Sequence, residues 1–204
     1  MGYEFGNCEM YIRTMNLMQS SLLLASNFSD DPVFRYAFRG TESQRHRAME
    51  SYFSAQLEYC LAEGNILLSP GNAGLAAWIP EKAFPPAIDQ NRIGSQPDYV
   101  VTGWQKLVRH QLAALDVVKE NGKQFGFCQV LAVDFSVRRR GYGQWLMESC
   151  LEQMAEAGLK ECWLVTENES NQPFLENLGF KKFTTLHQPG GPVSFVCNKV
   201  IGPL

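Results

Sequence analysis

Apolar side chains recur along the chain with two different spacings, and their alternation predicts an α/β protein. Met49, Phe53 and Leu57 fall on one face of a helix. The run 125–133 is almost continuously apolar without that period, which is typical of a strand covered on both faces. The order of strand, helix, strand and helix over 125–177 predicts two parallel strands joined by a right-handed crossover.

The other segments divide at glycines, prolines and capping residues. The predicted elements are a strand over 9–15, a helix over 17–37 broken at Asp30-Asp31-Pro32, a helix from Thr41 to Gly64, a hairpin of 65–69 and 74–79, an inserted loop and helix around 81–119, a helix over 142–157, a strand over 162–165, a short helix over 172–177 and a hairpin of 181–186 and 193–199. In the inserted helix, one apolar face is assigned to Trp104, Leu107, Val108, Leu112 and Leu115. We expect one domain over 1–204.

Composition argues against several classes of partner. The formal net charge is -3 with 19% charged residues and no long single-sign run, so we expect no nucleic-acid partner. No apolar stretch approaches the roughly 20 residues of a membrane span, and the first residues lack a targeting pattern. We therefore expect a cytoplasmic protein with no membrane partner. A homodimer is compatible with the sequence, which does not fix the oligomeric state.

The six cysteines and three histidines show no metal-ligand spacing, so no metal is expected. Scattered cysteines in apolar segments are typical of buried thiols. A nucleophilic cysteine activated by a histidine, or a redox function, stays open as an alternative.

The segment between the buried strand and the next helix carries the strongest functional signal. From Leu131 to Gly143 it reads Leu-Ala-Val-Asp-Phe-Ser-Val-Arg-Arg-Arg-Gly-Tyr-Gly. Such a loop presents unpaired backbone N–H groups at the positive end of a helix dipole, and its glycines let an anion approach closely. Adjacent arginines add charged donors suited to phosphate oxygens. The pattern predicts an anion-binding loop over Arg138–Gly143.

The sequence of this loop is compatible with one other interpretation and departs from two known phosphate-binding motifs. A run of three arginines is also compatible with a solvated loop. The dinucleotide fingerprint requires a third glycine where Leu146 stands, and a Walker loop requires a Gly-Lys-Ser/Thr sequence that the chain lacks.

The loop resembles the acetyl-CoA motif of the GNAT superfamily, Gln/Arg-x-x-Gly-x-Gly/Ala after an apolar strand, here Arg138-x-x-Gly141-x-Gly143. The second block of that family is present as Asn-Gln-Pro-Phe-Leu-Glu-Asn-Leu-Gly-Phe over 171–180. Two blocks at this separation are more specific than either alone. The motif-bearing similarity covers roughly residues 125–200.

Finer features resemble one branch of the superfamily. These are the Asn-x-Pro-Phe form of the second block, the long insert before the phosphate strand, Asp31-Pro32, and Gly191-Pro192 in the last hairpin. Together they resemble the puromycin acetyltransferase-like branch.

The resemblance implies a GNAT fold, a mixed and mostly antiparallel sheet with a splayed central parallel strand pair, flanked by helices. Acetyl-CoA would be the cosubstrate, with its pantetheine arm in the splay and its diphosphate on the loop amides. The residues expected to hold it are Leu131, Ala132, Val133, Arg138, Arg139, Arg140, Gly141, Tyr142, Gly143, Gln144, Asn171 and Phe174. Phe174 is equally compatible with plain core packing.

The implied reaction is direct attack of a small-molecule primary amine on the thioester. The family's usual proton donor is a tyrosine where this chain has Leu175, so the general acid is unknown and a catalytically impaired acyl-CoA-binding module stays open. Glu167, after the second parallel strand, is the candidate base, with an exposed loop carboxylate as the alternative. Trp78 and the segment Ala83 to Trp104 are expected to line or cover the acceptor pocket, although Trp78 is also typical of a core.

Overall fold

The computed structural model describes residues 17–87 and 95–202, so the strand predicted over 9–15 lies outside the described residues. The helices are α1 (Leu17–Asn27), α2 (Pro32–Ala37), α3 (Glu42–Glu63), α4 (Asp98–Asn121), α5 (Tyr142–Glu156) and α6 (Gln172–Asn177). The strands are β1 (Asn65–Leu68), β2 (Gly74–Pro80), β3 (Phe125–Val133), β4 (Glu161–Thr166), β5 (Lys181–His187) and β6 (Val193–Val200).

In the described ranges the strands form one sheet in the order β1-β2-β3-β4-β6-β5. The pair β3 and β4 is parallel, and the other neighbouring strands are antiparallel. Helix α5 connects the two parallel strands, as the sequence predicted. The mixed sheet with a central parallel pair is thereby confirmed.

Local signals set two helix starts near the site. The side chain of Thr41 accepts from the Gln44 amide, and the Gln44 side chain accepts from the Thr41 amide, which is the capping box at the start of α3. At the predicted break before α2, Asp31 Oδ1 accepts from the Val33 amide at 3.0 Å. Pro32 then occupies the first turn, where its missing N–H costs no intrahelical hydrogen bond. Asp31 is consequently fixed at a helix N-terminus beside the sheet.

The two faces of the sheet bury separate apolar clusters. Helices α1 to α4 cover one face, and α5 covers the other. The prediction that Leu112 belongs to the apolar face of α4 is wrong, because its side chain is 50% exposed. The buried face is rotated toward Trp104, Leu107, His110 and Ala114, so a polar histidine takes a core position that the apolar pattern did not mark.

The described ranges contain neither a membrane-spanning helix nor a metal-binding cluster. No helix there is long and apolar enough to cross a membrane. His, Cys, Asp and Glu side chains in 17–87 and 95–202 also form no group of three able to hold a metal ion.

Candidate active site

The parallel strands diverge soon after they begin. In the described part of the chain their register pairs only Phe125, Gly126 and Phe127 of β3 with β4. Beyond this point β3 stays paired with β2 through Val133, but β4 no longer accompanies it. Gln129 is an extra residue in the β2–β3 register, a bulge that bends β3 at the start of the divergence. The backbone of β3 therefore faces an open gap along its second half.

A cavity of about 620 Å³ lies at this gap, and we call it the strand-gap cavity. It joins residues of β3, the loop after it, the start of α5, the segment before α6 and the end of α1. Arg140, also predicted as a binding residue, is exposed and lies outside this lining. The predicted residues that line it are Leu131, Ala132, Val133, Arg138, Arg139, Gly141, Tyr142, Gly143, Gln144, Asn171 and Phe174.

Arg138 anchors the loop to the rest of the protein. Its Nε donates to the Val133 carbonyl at 3.2 Å, and its Nη2 donates to Asn27 Oδ1 at 2.7 Å. The guanidinium also lies 3.6 Å from the centre of the Phe135 ring. Through these contacts Arg138 holds the loop against α1. Arg139 also lines the cavity, and among the described residues its side chain makes fewer contacts of this kind.

Left-handed backbone at two positions shapes the loop. Arg139 has φ +62° and Gly141 has φ +86°, a combination that turns successive amides toward one side. Gly141 is the N-cap of α5 and offers no capping side chain. The amides of Tyr142, Gly143 and Gln144 precede the first intrahelical donor, Trp145, which bonds to the Gly141 carbonyl at 2.9 Å. These three N–H groups are available to an anion in the cavity.

The opposite wall of the cavity comes from the segment before α6. Asn171 Nδ2 donates to Thr166 Oγ1 at 3.0 Å, which ties this segment to the end of β4. Phe174 packs close to the start of α5, since a Cβ added at Gly143 would lie 3.5 Å from its ring. Phe174 also contacts the apolar cluster under α5. Its side chain thus serves both the core and the cavity wall, so the two sequence interpretations are compatible.

One carboxyl group lines the strand-gap cavity, and a second is buried within electrostatic reach of it. Asp31 lines the strand-gap cavity, and burial raises its pKa to about 6. Glu167 is only 9% exposed, so the predicted alternative of an exposed loop carboxylate is wrong. Burial and then the negative charge of Asp31 raise the pKa of Glu167 to about 7. A carboxyl pair with pKa values near neutrality can accept a proton from a bound amine.

A buried polar chain continues from Glu167. Ser194 Oγ donates to Glu167 Oε1 at 3.2 Å and lies 3.2 Å from His110 Nε2. Burial lowers the pKa of His110, so the ring is neutral. Because the Ser194 proton is directed to Glu167, His110 Nε2 is assigned as the donor to Ser194. The buried Nδ1 then keeps a lone pair with no partner among the described residues.

A second cavity, of about 310 Å³, lies between α3, α4 and the start of the strand gap, and we call it the helix-side cavity. Its lining includes Tyr52 and Gln56 of α3, Gln111 of α4, and Phe127 and Gln129 of β3. Burial, and then the negative charge of Glu167, raises the pKa of Tyr52. Glu167 is therefore within electrostatic reach of both cavities.

Comparisons with known proteins agree with this geometry. Residues 92–180 match the model of the Acetyltransferase (GNAT) family, and they include the loop over Arg138–Gly143 and the segment before α6. The chain is therefore similar to GNAT acetyltransferases over the segment that carries both of its motifs. The fold is correspondingly the predicted GNAT fold, with its splayed parallel pair. Among curated proteins the sequence has no match.

Solved structures similar to this chain share its fold at low sequence identity. The C-terminal condensation domain of Ebony, in complex with beta-alanyl-dopamine, aligns over 92% of this chain and 96% of its own with TM-score 0.66 and 10% identity. Arylalkylamine N-acetyltransferase 2 from Aedes aegypti aligns over 90% and 94% with TM-score 0.55 and 15% identity. A protein from Agrobacterium tumefaciens assigned as an acetyltransferase aligns over 38% and 58% with TM-score 0.36 and 22% identity. The chain thus spans little more than half the length of that last protein.

Two side chains lie elsewhere than the sequence suggested. Trp78, expected at the acceptor pocket, is 3% exposed on the α5 face, where its Nε1 donates to Gln153 Oε1 at 3.2 Å. Its role is corrected to core packing, because this position of β2 points away from the helix-side cavity. Leu175 is also buried in the cluster under α5 and does not line the strand-gap cavity.

The thiols of the protein are buried wherever the structure describes them. The five described cysteines are free, and burial raises the pKa of Cys60 and Cys128 to about 12. A thiol with such a pKa is protonated at neutral pH and is a poor nucleophile. Cys8 lies outside the described residues. The described cysteines therefore fit the interpretation as core residues.

Sequence reasoning missed Asp31 as a residue of the site. The sequence marked it only as part of a helix break and of a branch resemblance. Its useful signal was the combination of Asp30-Asp31-Pro32 with a helix cap, because a capping carboxylate is fixed in place by its own helix. Its proximity to Glu167, far away in the chain, is a property of the fold.

Proposed function

We propose that this protein transfers an acetyl group from acetyl-CoA to a primary amine of a small molecule by direct attack. The observation that carries the proposal is the strand-gap cavity, which unites a turned loop of free amides with a splayed strand pair. Phosphate fits the amide end because the helix dipole and the cavity-lining Arg139 both favour negative charge. An extended arm fits the β3 end, where backbone groups of Leu131 to Val133 face the gap.

The chemistry requires a proton acceptor. A primary ammonium with a pKa of about 10.4 is neutral in only about one molecule in 2,500 at pH 7, which adds roughly 4.6 kcal/mol to the barrier. The Asp31–Glu167 pair is proposed to take this proton, since its raised pKa values reduce the mismatch with the amine. The Ser194 hydroxyl donates to Glu167 Oε1 and stabilises its ionised form, and neutral His110 lies against the same hydroxyl.

The departing thiolate has an ordinary pKa of about 8.5 and gains from a proton donor, though it leaves fairly readily without one. The general acid remains unassigned. The burial of Leu175 in place of a tyrosine favours a second candidate function, a non-catalytic acyl-CoA-binding module. The two candidates agree on acyl-CoA binding and differ on turnover.

One experiment separates them. Calorimetry with coenzyme A measures binding, and release of free thiol from acetyl-CoA in the presence of amines measures turnover. The name of the Aedes aegypti neighbour makes arylalkylamines the first class to test. We also propose membership of the puromycin acetyltransferase-like branch, supported by the Asn-x-Pro-Phe block and Asp31-Pro32. Binding with thiol release supports the enzyme, binding without release across a broad amine panel supports the module, and absence of binding contradicts both.

A further inference from the structure

The helix-side cavity occupies the place from which an amine could approach the carboxyl pair. Phe127 and Gln129 of β3 and Val165 of β4 line it, so it opens onto the two strands where they begin to separate. Farther along β3, Leu131 to Val133 line the strand-gap cavity. Glu167 follows the last residue of β4, and its charge acts on Tyr52 in the lining of the helix-side cavity. A molecule in the helix-side cavity therefore lies within electrostatic reach of Glu167.

Two buried amide side chains in this cavity are incompletely paired. Gln56 Nε2 donates to Gln129 Oε1 at 2.8 Å. Gln56 Oε1 and Gln129 Nε2 are buried and have no partner among the described residues. If both side-chain amides are flipped by 180°, one carbonyl oxygen and one amide N–H again stay unpaired. The conclusion therefore does not depend on how each amide is oriented. Buried polar groups in native proteins are normally hydrogen-bonded, so these two unpaired amide groups indicate a ligand site.

The cavity also restricts the charge of what it can hold. Its described lining consists of apolar, amide, thiol and phenol side chains and carries no charged group. The one thiol, Cys128, is kept protonated by burial. A carboxylate or second ammonium placed there would lose its hydration without a compensating partner. Its volume of about 310 Å³ suits a small organic group at the lower end of ligand pockets.

We infer that the helix-side cavity is the acceptor subsite, and that it takes the uncharged end of an amine bearing a carboxamide or hydroxyl group, which the Gln56–Gln129 pair recognises. This inference rests on the proposed acetyl transfer. The amine itself points to the gap and the carboxyl pair, while the uncharged end is held between α3 and α4. A carboxamide suits the two unpaired groups best. Its oxygen accepts from the free amide N–H, and its own N–H donates to the free carbonyl oxygen.

The test uses amines that differ only at the end remote from nitrogen. They are phenethylamine, tyramine, para-(aminoethyl)benzamide and para-(aminoethyl)benzoate, titrated calorimetrically into the whole protein saturated with coenzyme A. The variant is Gln56→Leu with Gln129→Leu, since replacing both partners by apolar groups leaves no orphaned amide. Gln105→Leu on the exposed face of α4 is the matched control. Thermal unfolding checks that each variant is folded.

The wild type and the control are expected to bind the benzamide about ten-fold more tightly than phenethylamine or the benzoate. The double variant should bind phenethylamine as the wild type does and lose the preference for the benzamide. The inference is overturned if the benzoate binds as tightly as the benzamide, if the folded double variant keeps the preference, or if no amine binds. Coenzyme A affinity in the same titrations tests the proposed function separately, because a protein that binds coenzyme A but no amine overturns only the acceptor assignment.

Discussion

Replacing Glu167 with glutamine is expected to stabilise the fold at alkaline pH while impairing the chemistry. The ordinary pKa of 4.5 rises to about 7 in the folded protein, so the folded state binds the proton more tightly than the unfolded state does. Ionisation therefore costs stability progressively as the pH rises from 4.5 to 7. The full cost is about 3 kcal/mol, since each pH unit between the two pKa values is worth about 1.4 kcal/mol. Glutamine keeps a carbonyl that accepts from Ser194 but cannot ionise.

The assay is thermal unfolding of wild type and variant at two pH values. At pH 8 the variant should be more stable by about 3 kcal/mol, or roughly 6–12 °C for a chain of this size, and at pH 5 the difference should fall to about 1 kcal/mol. Glu169→Gln makes the same chemical change at an exposed position nearby and should have little effect on the midpoint. A Glu167→Gln protein that is less stable than wild type at pH 8, or equally shifted at both pH values, would refute the placement of a buried carboxylate.

Three further predictions concern the same site and its surroundings. In the active enzyme, kcat/KM should rise between about pH 6 and 7 as the Asp31–Glu167 pair loses protons, and a flat pH profile would contradict this. The variant Asp31→Asn should lower kcat by roughly 10² to 10⁴ while its affinity for coenzyme A stays unchanged. Iodoacetamide should label none of the five described cysteines until denaturant is added, because burial raises their thiol pKa values. Peptide mass spectrometry maps the labelled sites, and labelling in the folded state would contradict their core placement. Leu175→Tyr should cost about 1–3 kcal/mol in chemical denaturation through overpacking, without faster turnover; a faster variant of unchanged stability would instead place this side chain at the reacting sulfur.

Much of the fold was predictable because its signals are local. The capping box at Thr41 and the stop at Gly64 define α3 from a few neighbouring residues. The unbroken apolar run of β3 marks a central strand without knowledge of its partners. The glycines around Tyr142 and the preceding arginines identified the loop whose residues line the strand-gap cavity. Each of these conclusions needed only the order of residue types.

The remainder depended on which distant segments meet. Asp31 and Glu167 are separated by most of the chain, and only the fold brings the start of α2 within electrostatic reach of the residue after β4. Strand alternation shows that Trp78 faces one side of the sheet but not which side holds the acceptor pocket. For α4, apolar periodicity favoured Leu112, whereas the buried face includes His110, which is accommodated by its bond to Ser194. Polar residues satisfied inside a core are invisible to an apolar pattern.

The central claim, that amides at the start of α5 hold a diphosphate, is tested most directly by coenzyme A calorimetry on a matched pair of glycine variants. Gly141 and Gly158 stand at opposite ends of α5 with φ of +86° and +76°, and an added Cβ meets no atom within 4 Å at either position. Glutamate at either position should thus carry a similar folding cost of about 1–2 kcal/mol. Gly141→Glu should weaken coenzyme A binding roughly 30- to 200-fold, from about 2–3 kcal/mol of charge repulsion, while Gly158→Glu binds as wild type does. Folded Gly141→Glu protein with wild-type affinity would contradict the account.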